Sequence, residues 1–218
     1  MARLQVALDL IDLKAALDIA TKVCELSPSV IVEAGTPLIK SVGMKAVKAL
    51  REACSINEVV ADTKTVDAGA IEARLAFEAG ANYVTVLALA GDETISEVID
   101  TARELGGQVI VDLINVQQPV AAAKKAAQLG ADVVCFHVGI DVQRRRGITV
   151  ETLLGEIREI KNAGLGIRLA TAGGITPQTA EVLARAGVDI VIVGGYITKS
   201  QDPLAAARRI LKTIEVRE

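Results

Sequence analysis

The chain has 218 residues, 51% of them apolar and only 2% aromatic, with a formal charge of −3. That length suits one domain with a large core. The interspersed charges exclude the basic footprint of a nucleic-acid binder and give no reason to expect binding to an anionic membrane.

The N-terminal MARLQVALDL runs directly into strand-like sequence without a signal-peptide core, and no apolar run is long enough to span a bilayer. A cytoplasmic location is the expectation. Cys24, Cys54 and Cys135 are odd in number, far apart and at no metal-binding spacing, so the expectation is three reduced thiols.

In chain order, β-rich runs occur at LQVAL (4–8), SVIVEA (29–34), EVVAD (58–62), NYVTVLA (82–88), QVIVDLI (108–114), DVVCFHV (132–138), IRLATA (167–172) and DIVIVGG (189–195). Between them lie segments of helical period such as DLKAALDIATKVCEL, MKAVKALREA and DAGAIEARLAFEAG. Several helical segments end in Gly before the next strand, at EAGAN, QLGAD and RAGVD. Eight strands, eight helices and a repeat of about 25 residues predict a single (β/α)8 barrel over residues 1–218. A doubly wound open sheet is the competitor, and the eightfold count favours closure.

Active sites of such barrels form at the C-terminal strand ends. Asp9, Glu33, Asp62 with Lys64, Asp112 with Asn115, and His137 with Asp141 stand there, and Gly173-Gly174 and Gly194-Gly195 follow strands 7 and 8. Each has a plain structural alternative. Asp9 or Asp62 can cap a helix. Asp67 is the better cap of the two acids around Lys64, because helical sequence starts there. Glu33, before Ala-Gly-Thr-Pro, is a poor cap and reads as functional. Lys64 can snorkel to water. A lone histidine is often structural, but His137 at a strand end among acids fits proton transfer. Paired glycines permit tight turns, and in adjacent loops they also let backbone N–H groups approach a phosphate. Arg144-Arg145-Arg146 is either a solvated face or an attractor of an anionic substrate.

Together these residues fit one chemistry. Glu33 and Asp62 offer hard oxygens suited to Mg²⁺. Lys64, between Asp62 and Asp67, stays protonated and, with a divalent ion, stabilises an enediolate. His137 exchanges a proton with the neighbouring carbon.

ADTKTVDAG (61–69) carries the Asp-x-Lys-x-x-Asp signature that resembles the orotidine monophosphate decarboxylase superfamily. VALDL, VEAGTPLIKSVGM, VTVLA, VDLINV, FHVGID, AGGIT and IVGGYITKSQDP resemble, within it, the 3-hexulose-6-phosphate synthase family from end to end. The resemblance implies an aldolase acting on D-ribulose 5-phosphate and formaldehyde. It implies Mg²⁺ at Glu33 and Asp62, an enediolate-stabilising Lys64 and a base at His137. It further implies a homodimer in which Asp67 reaches the neighbouring subunit's site. The related 3-keto-L-gulonate 6-phosphate decarboxylases resemble His-Arg-x-Arg where this chain has His137-Val138-Gly139-Ile140, and they carry a phosphate-binding Arg where it has Gly195. Tyr196 and the segment QRRRG depart from the synthase pattern, which predicts crowding at the phosphate loop and an altered loop after strand 6.

Overall fold

A computed structural model describes residues 1–215; residues 216–218, included in the predicted barrel, lie outside the described residues. Eight parallel strands close in sequence order: β1 Arg3–Leu8, β2 Ile31–Ala34, β3 Glu58–Thr65, β4 Tyr83–Leu87, β5 Gln108–Asp112, β6 Val133–His137, β7 Arg168–Ala172 and β8 Ile190–Val193. β1 pairs with both β2 and β8, so no edge is left unpaired and the open-sheet alternative falls away.

The strands read as apolar runs because both faces are covered. Their outward side chains pack under the helices, while Ile31, Val60, Tyr83, Ile110, Val133, Ala170 and Ile190 point inward and fill the barrel's lower half. Side chains alternate across a strand, so the inward series continues upward in steps of two. On β1 to β6 the series turns polar toward the C-terminal mouth, with Gln5 and Asp9 either side of Ala7, Glu33 above Ile31, Asp62 above Val60, Thr85 above Tyr83, Asp112 above Ile110 and His137 above Cys135, whereas on β7 and β8 it stays apolar with Ala172 and Ile192. The plug leaves the cavity open at the C-terminal mouth alone.

Eight helices alternate with the strands as the periodicity predicts. Among the described residues, three further short α-helices, Thr36–Val42, Ile140–Arg146 and Gly195–Thr198, follow β2, β6 and β8, and a 3-10 turn spans Val150–Leu153. All three form part of the cavity mouth. The structural alternative, helix capping by Asp9, Asp62 or Asp67, does not occur. Asp12 caps the helix Leu13–Cys24 by accepting from the Lys14 N–H. The helix Gly69–Glu78 begins after Ala68, which is left-handed at φ 53°, and Asp67 accepts only from the Ala68 N–H at 2.8 Å.

The thiol expectation is corrected. Cys24 and Cys54 form a disulfide with Cα atoms 5.9 Å apart, and only Cys135 is free. The thirty-residue separation is misleading in sequence, because the βα repeat returns the helix Lys45–Ala53 to the side of the helix Leu13–Cys24 and brings their C-terminal ends together.

Among the described residues, no helix is long and apolar enough to cross a membrane.

Candidate active site

The polar inward residues meet at the floor of a cavity of about 740 Å³. β3 supplies its centre. Between the pairs Ala61↔Val84 and Thr65↔Val86, four residue steps on β3 oppose two on β4, so the strand bulges inward at Asp62-Thr63-Lys64. Lys64 takes a positive φ of 47°, costly for a long side chain. Thr85 fixes the bulge: its carbonyl accepts from Thr63 Oγ1 (2.7 Å), while its hydroxyl accepts from the Lys64 N–H (2.9 Å) and donates to Asp62 Oδ1 (2.8 Å).

The Lys64 ammonium donates to both Asp62 oxygens, at 2.9 and 2.8 Å, and to Asp112 Oδ2 at 3.1 Å. Asp112 also accepts from Nδ1 of His137, at 2.9 Å to Oδ2. Its other oxygen accepts from the Ile114 N–H at 2.9 Å. Asp62, Lys64, Asp112 and His137 thus form one continuous line. Burial on its own would lower Lys64, but Asp62, Asp112 and Glu33 outweigh it and hold the ammonium well above its usual range. Burial likewise opposes ionisation of Asp112, and His137 and Lys64 override it, so its carboxyl lies far below the usual carboxylate range. The expected second anion beside Lys64 was Asp67. Asp67 is instead exposed and absent from the cavity lining, and Asp112 takes that place.

Asp9, Glu33 and Asp62 form a second group, each offering an oxygen within 4.8 Å of the others. Burial, then repulsion from Asp62 and Asp9, pushes Glu33 well above its ordinary value. Burial and Asp62 also raise Asp9, whose carboxylate faces the open cavity. Gln5 Nε2 donates to Glu33 Oε2, and Gln5 Oε1 is buried without a partner. Thr36 Oγ1 lies 2.8 Å from Asp62 Oδ2. Three crowded carboxylate groups, of which Glu33 and Asp9 are raised by burial and by neighbouring acids, beside an orphaned carbonyl oxygen, are the donor set that a hard divalent cation relieves.

The predicted glycines line the upper wall. Gly173 and Gly174 have φ of 117° and 72°, and a side chain at Gly173 would strike the Val138 carbonyl. Gly194 adjoins Asp9, whose Oδ2 lies 3.3 Å from where a Cβ would sit. Tyr196 lines the cavity, but its hydroxyl accepts from Arg209 Nε at 3.2 Å, which ties the ring's tip toward the last helix. Arg144 reaches the mouth from the helix Ile140–Arg146, whereas Arg145 does not line the cavity.

Sequence reasoning gave no role to Gln5, Thr36, Thr85 or Asp112. Two alternating steps back from Asp9, through Ala7, mark Gln5, and the apolar-to-polar switch marks Thr85 and Asp112. Nothing local marks Thr36.

A family model described as "Orotidine 5'-phosphate decarboxylase / HUMPS family" matches residues 2–210. A 3-hexulose-6-phosphate synthase from Methylomonas aminofaciens is 39% identical over 211 residues, covering 96% of this chain and 98% of its own. The crystal structure of a 3-hexulose-6-phosphate synthase from Salmonella typhimurium superposes with a TM-score of 0.90 at 38% identity, covering 97% of this chain and 98% of its own. A 3-keto-L-gulonate-6-phosphate decarboxylase from Vibrio cholerae superposes with a TM-score of 0.83 at 31% identity, covering 98% and 97%. Two activities share this barrel, so the residues must separate them. The chain belongs to the orotidine 5'-phosphate decarboxylase / HUMPS family.

Proposed function

We propose that this chain is an aldolase joining D-ribulose 5-phosphate and formaldehyde into D-arabino-hex-3-ulose 6-phosphate, reversibly. The carrying observation is the Asp62–Lys64–Asp112–His137 line lying beside the carboxylate group of Asp9, Glu33 and Asp62 on one cavity floor. The phosphate of the sugar sits at the Gly173-Gly174 and Gly194-Gly195 turns, which directs its carbonyl end to the floor. Val138 and Ile140 stand where the decarboxylase pattern places arginine, and Ile140 lines the cavity wall, which favours the synthase.

Asp112 accepts the Nδ1 proton of His137 and leaves Nε2 as the base. His137 takes a proton from C1 of the sugar, and electron density moves to the C2 oxygen. Lys64, kept protonated by its carboxylates, stabilises that oxygen by charge and hydrogen bonding. C1 then bonds to the formaldehyde carbon, and the aldehyde oxygen receives the proton that His137 holds. Glu33 and Asp62, with Asp9 beside them, would hold Mg²⁺, which would supply a Lewis acid for the sugar's oxygens.

The chain works as one barrel domain within a homodimer. Asp67 is exposed and lies outside its own cavity, beside the exposed apolar side chains Val66, Ile71 and Leu75, which supports a role at a neighbouring subunit's site. A cytoplasmic location follows from the substrate, a charged ester that does not cross a bilayer unaided. The test is formaldehyde consumption by purified protein with ribulose 5-phosphate, with and without Mg²⁺. Consumption that needs both sugar phosphate and metal supports the aldolase. No consumption in either direction, with CO₂ release from 3-keto-L-gulonate 6-phosphate, overturns it.

A further inference from the structure

We infer that Lys199 is the cation that recognises the phosphate of the substrate at the β8 turn, an inference that rests on the sugar-phosphate reading above. The short helix Gly195–Thr198 follows β8, and the Lys199 N–H donates to the Gly195 carbonyl at 3.2 Å, so residue 199 stands one turn above residue 195. Side chains on such a turn lean back toward its N-terminal end. Accordingly Lys199 Cε and Nζ each lie 3.8 Å from the position a Cβ on Gly195 would take. A Cβ there would be in ordinary contact with the lysine, and a longer side chain reaching along the turn would share its space; glycine leaves the ammonium free to lie over the turn.

Lys199 lines the cavity and forms no ion pair among the described residues. The neighbouring carboxylate, Asp9, meets the same turn at Gly194. Lys64 is already committed to Asp62 and Asp112 on the floor. Lys199 is therefore an uncommitted ammonium at the turn where the sugar phosphate is held, and an ammonium binds a phosphomonoester dianion as a point charge with several donors. Its work is recognition, distinguishing the phosphorylated sugar from the free one, with no part in proton transfer or carbon–carbon bond formation.

The experiment compares wild type, Lys199→Gln and Lys199→Arg as full-length proteins. Lys199 is exposed and the glutamine variant should keep the wild-type Tm. We expect Lys199→Gln to raise the KM for ribulose 5-phosphate by roughly ten- to a hundredfold, the loss of one charge-assisted hydrogen bond, with kcat within about twofold. Lys199→Arg should recover most of that KM. Inorganic phosphate should raise the Tm of wild type but not of Lys199→Gln. A KM within about twofold of wild type, a kcat that falls as far as KM rises, or equal phosphate protection in both proteins overturns the inference. The phosphate measurement stands apart from the aldolase assay. Wild type that never consumes formaldehyde sinks the aldolase reading, while loss of phosphate protection in Lys199→Gln still upholds Lys199.

Discussion

Asp112 holds Nδ1 of His137 at 2.9 Å on Oδ2, the same oxygen that accepts from Lys64. One buried carboxylate thus orients the imidazole and anchors the ammonium. Asp112→Asn keeps the volume but offers an amide that can donate to Nδ1, which reverses the tautomer. The expected result is a kcat lower by about 10²–10⁴-fold with a small change in KM, read by steady-state kinetics. Retention of wild-type kcat would remove Asp112 from the proton-transfer arrangement.

Lys64→Ala should lower kcat by about 10²–10³-fold while binding of a phosphate ester changes far less, because the ammonium acts on charge that develops during the reaction. Equal losses in both would assign Lys64 to ground-state binding.

The raised Glu33 and the lowered Asp112 give opposite pH dependences. Above the ordinary carboxylate range, the unfolded chain releases the Glu33 proton that the folded, metal-free protein retains. Stability without metal therefore falls as pH rises toward the raised folded value. Asp112 stabilises above its unfolded value, and that stability is lost as pH falls below it. If Glu33 holds Mg²⁺ as proposed, the ion must displace the Glu33 proton, and its affinity rises with pH over the same interval. The shift in Tm on adding Mg²⁺ should be larger at neutral pH than near pH 5. A shift independent of pH would take Glu33 out of the metal site.

Without reductant, the unfolded protein should show one titratable thiol per chain, and three after reduction. Cys24→Ser with Cys54→Ser should lower stability by about 3–4 kcal/mol, the loop-closure value for a ring of this size. Tm should fall by about 10 °C, with activity at 25 °C retained because neither cysteine lines the cavity. Three free thiols in the oxidised protein would refute the bridge.

If Asp67 serves the neighbouring subunit, Asp67→Ala and Lys64→Ala proteins, each nearly inactive, should regain about a quarter of wild-type activity when refolded together. Half the dimers then carry both variants, and one of their two sites is intact. No recovery on mixing would place Asp67 in its own subunit's chemistry.

The barrel was legible because repetition carried it: eight apolar runs, each followed by helical sequence. Glu33, Asp62, Lys64 and His137 were legible for a related reason, since a charge that ends a buried apolar run has few structural uses. The partners of these groups were harder to read. Thr36 and Thr85 look like ordinary strand-end and strand residues, and their hydroxyls gain meaning only once β3 bulges against β4. Asp67 and Asp112 show the limit of adjacency: Asp67 is three residues from Lys64 but turns outward, whereas Asp112 is 48 residues away and touches it. The cysteine pair fails the same way, because contact between the helices of neighbouring βα units leaves no local pattern.

The apolar plug beneath the site has a consequence for traffic. With Ile31, Tyr83, Ile110 and Val133 closing the lower barrel, reactants and product share one doorway. On the proposed placement of the phosphate, a sugar held at that doorway stands over the floor where its own carbon meets the aldehyde. The six-carbon product, bulkier than either reactant, then withdraws past the same glycine turns, so synthesis and cleavage use one route in opposite directions.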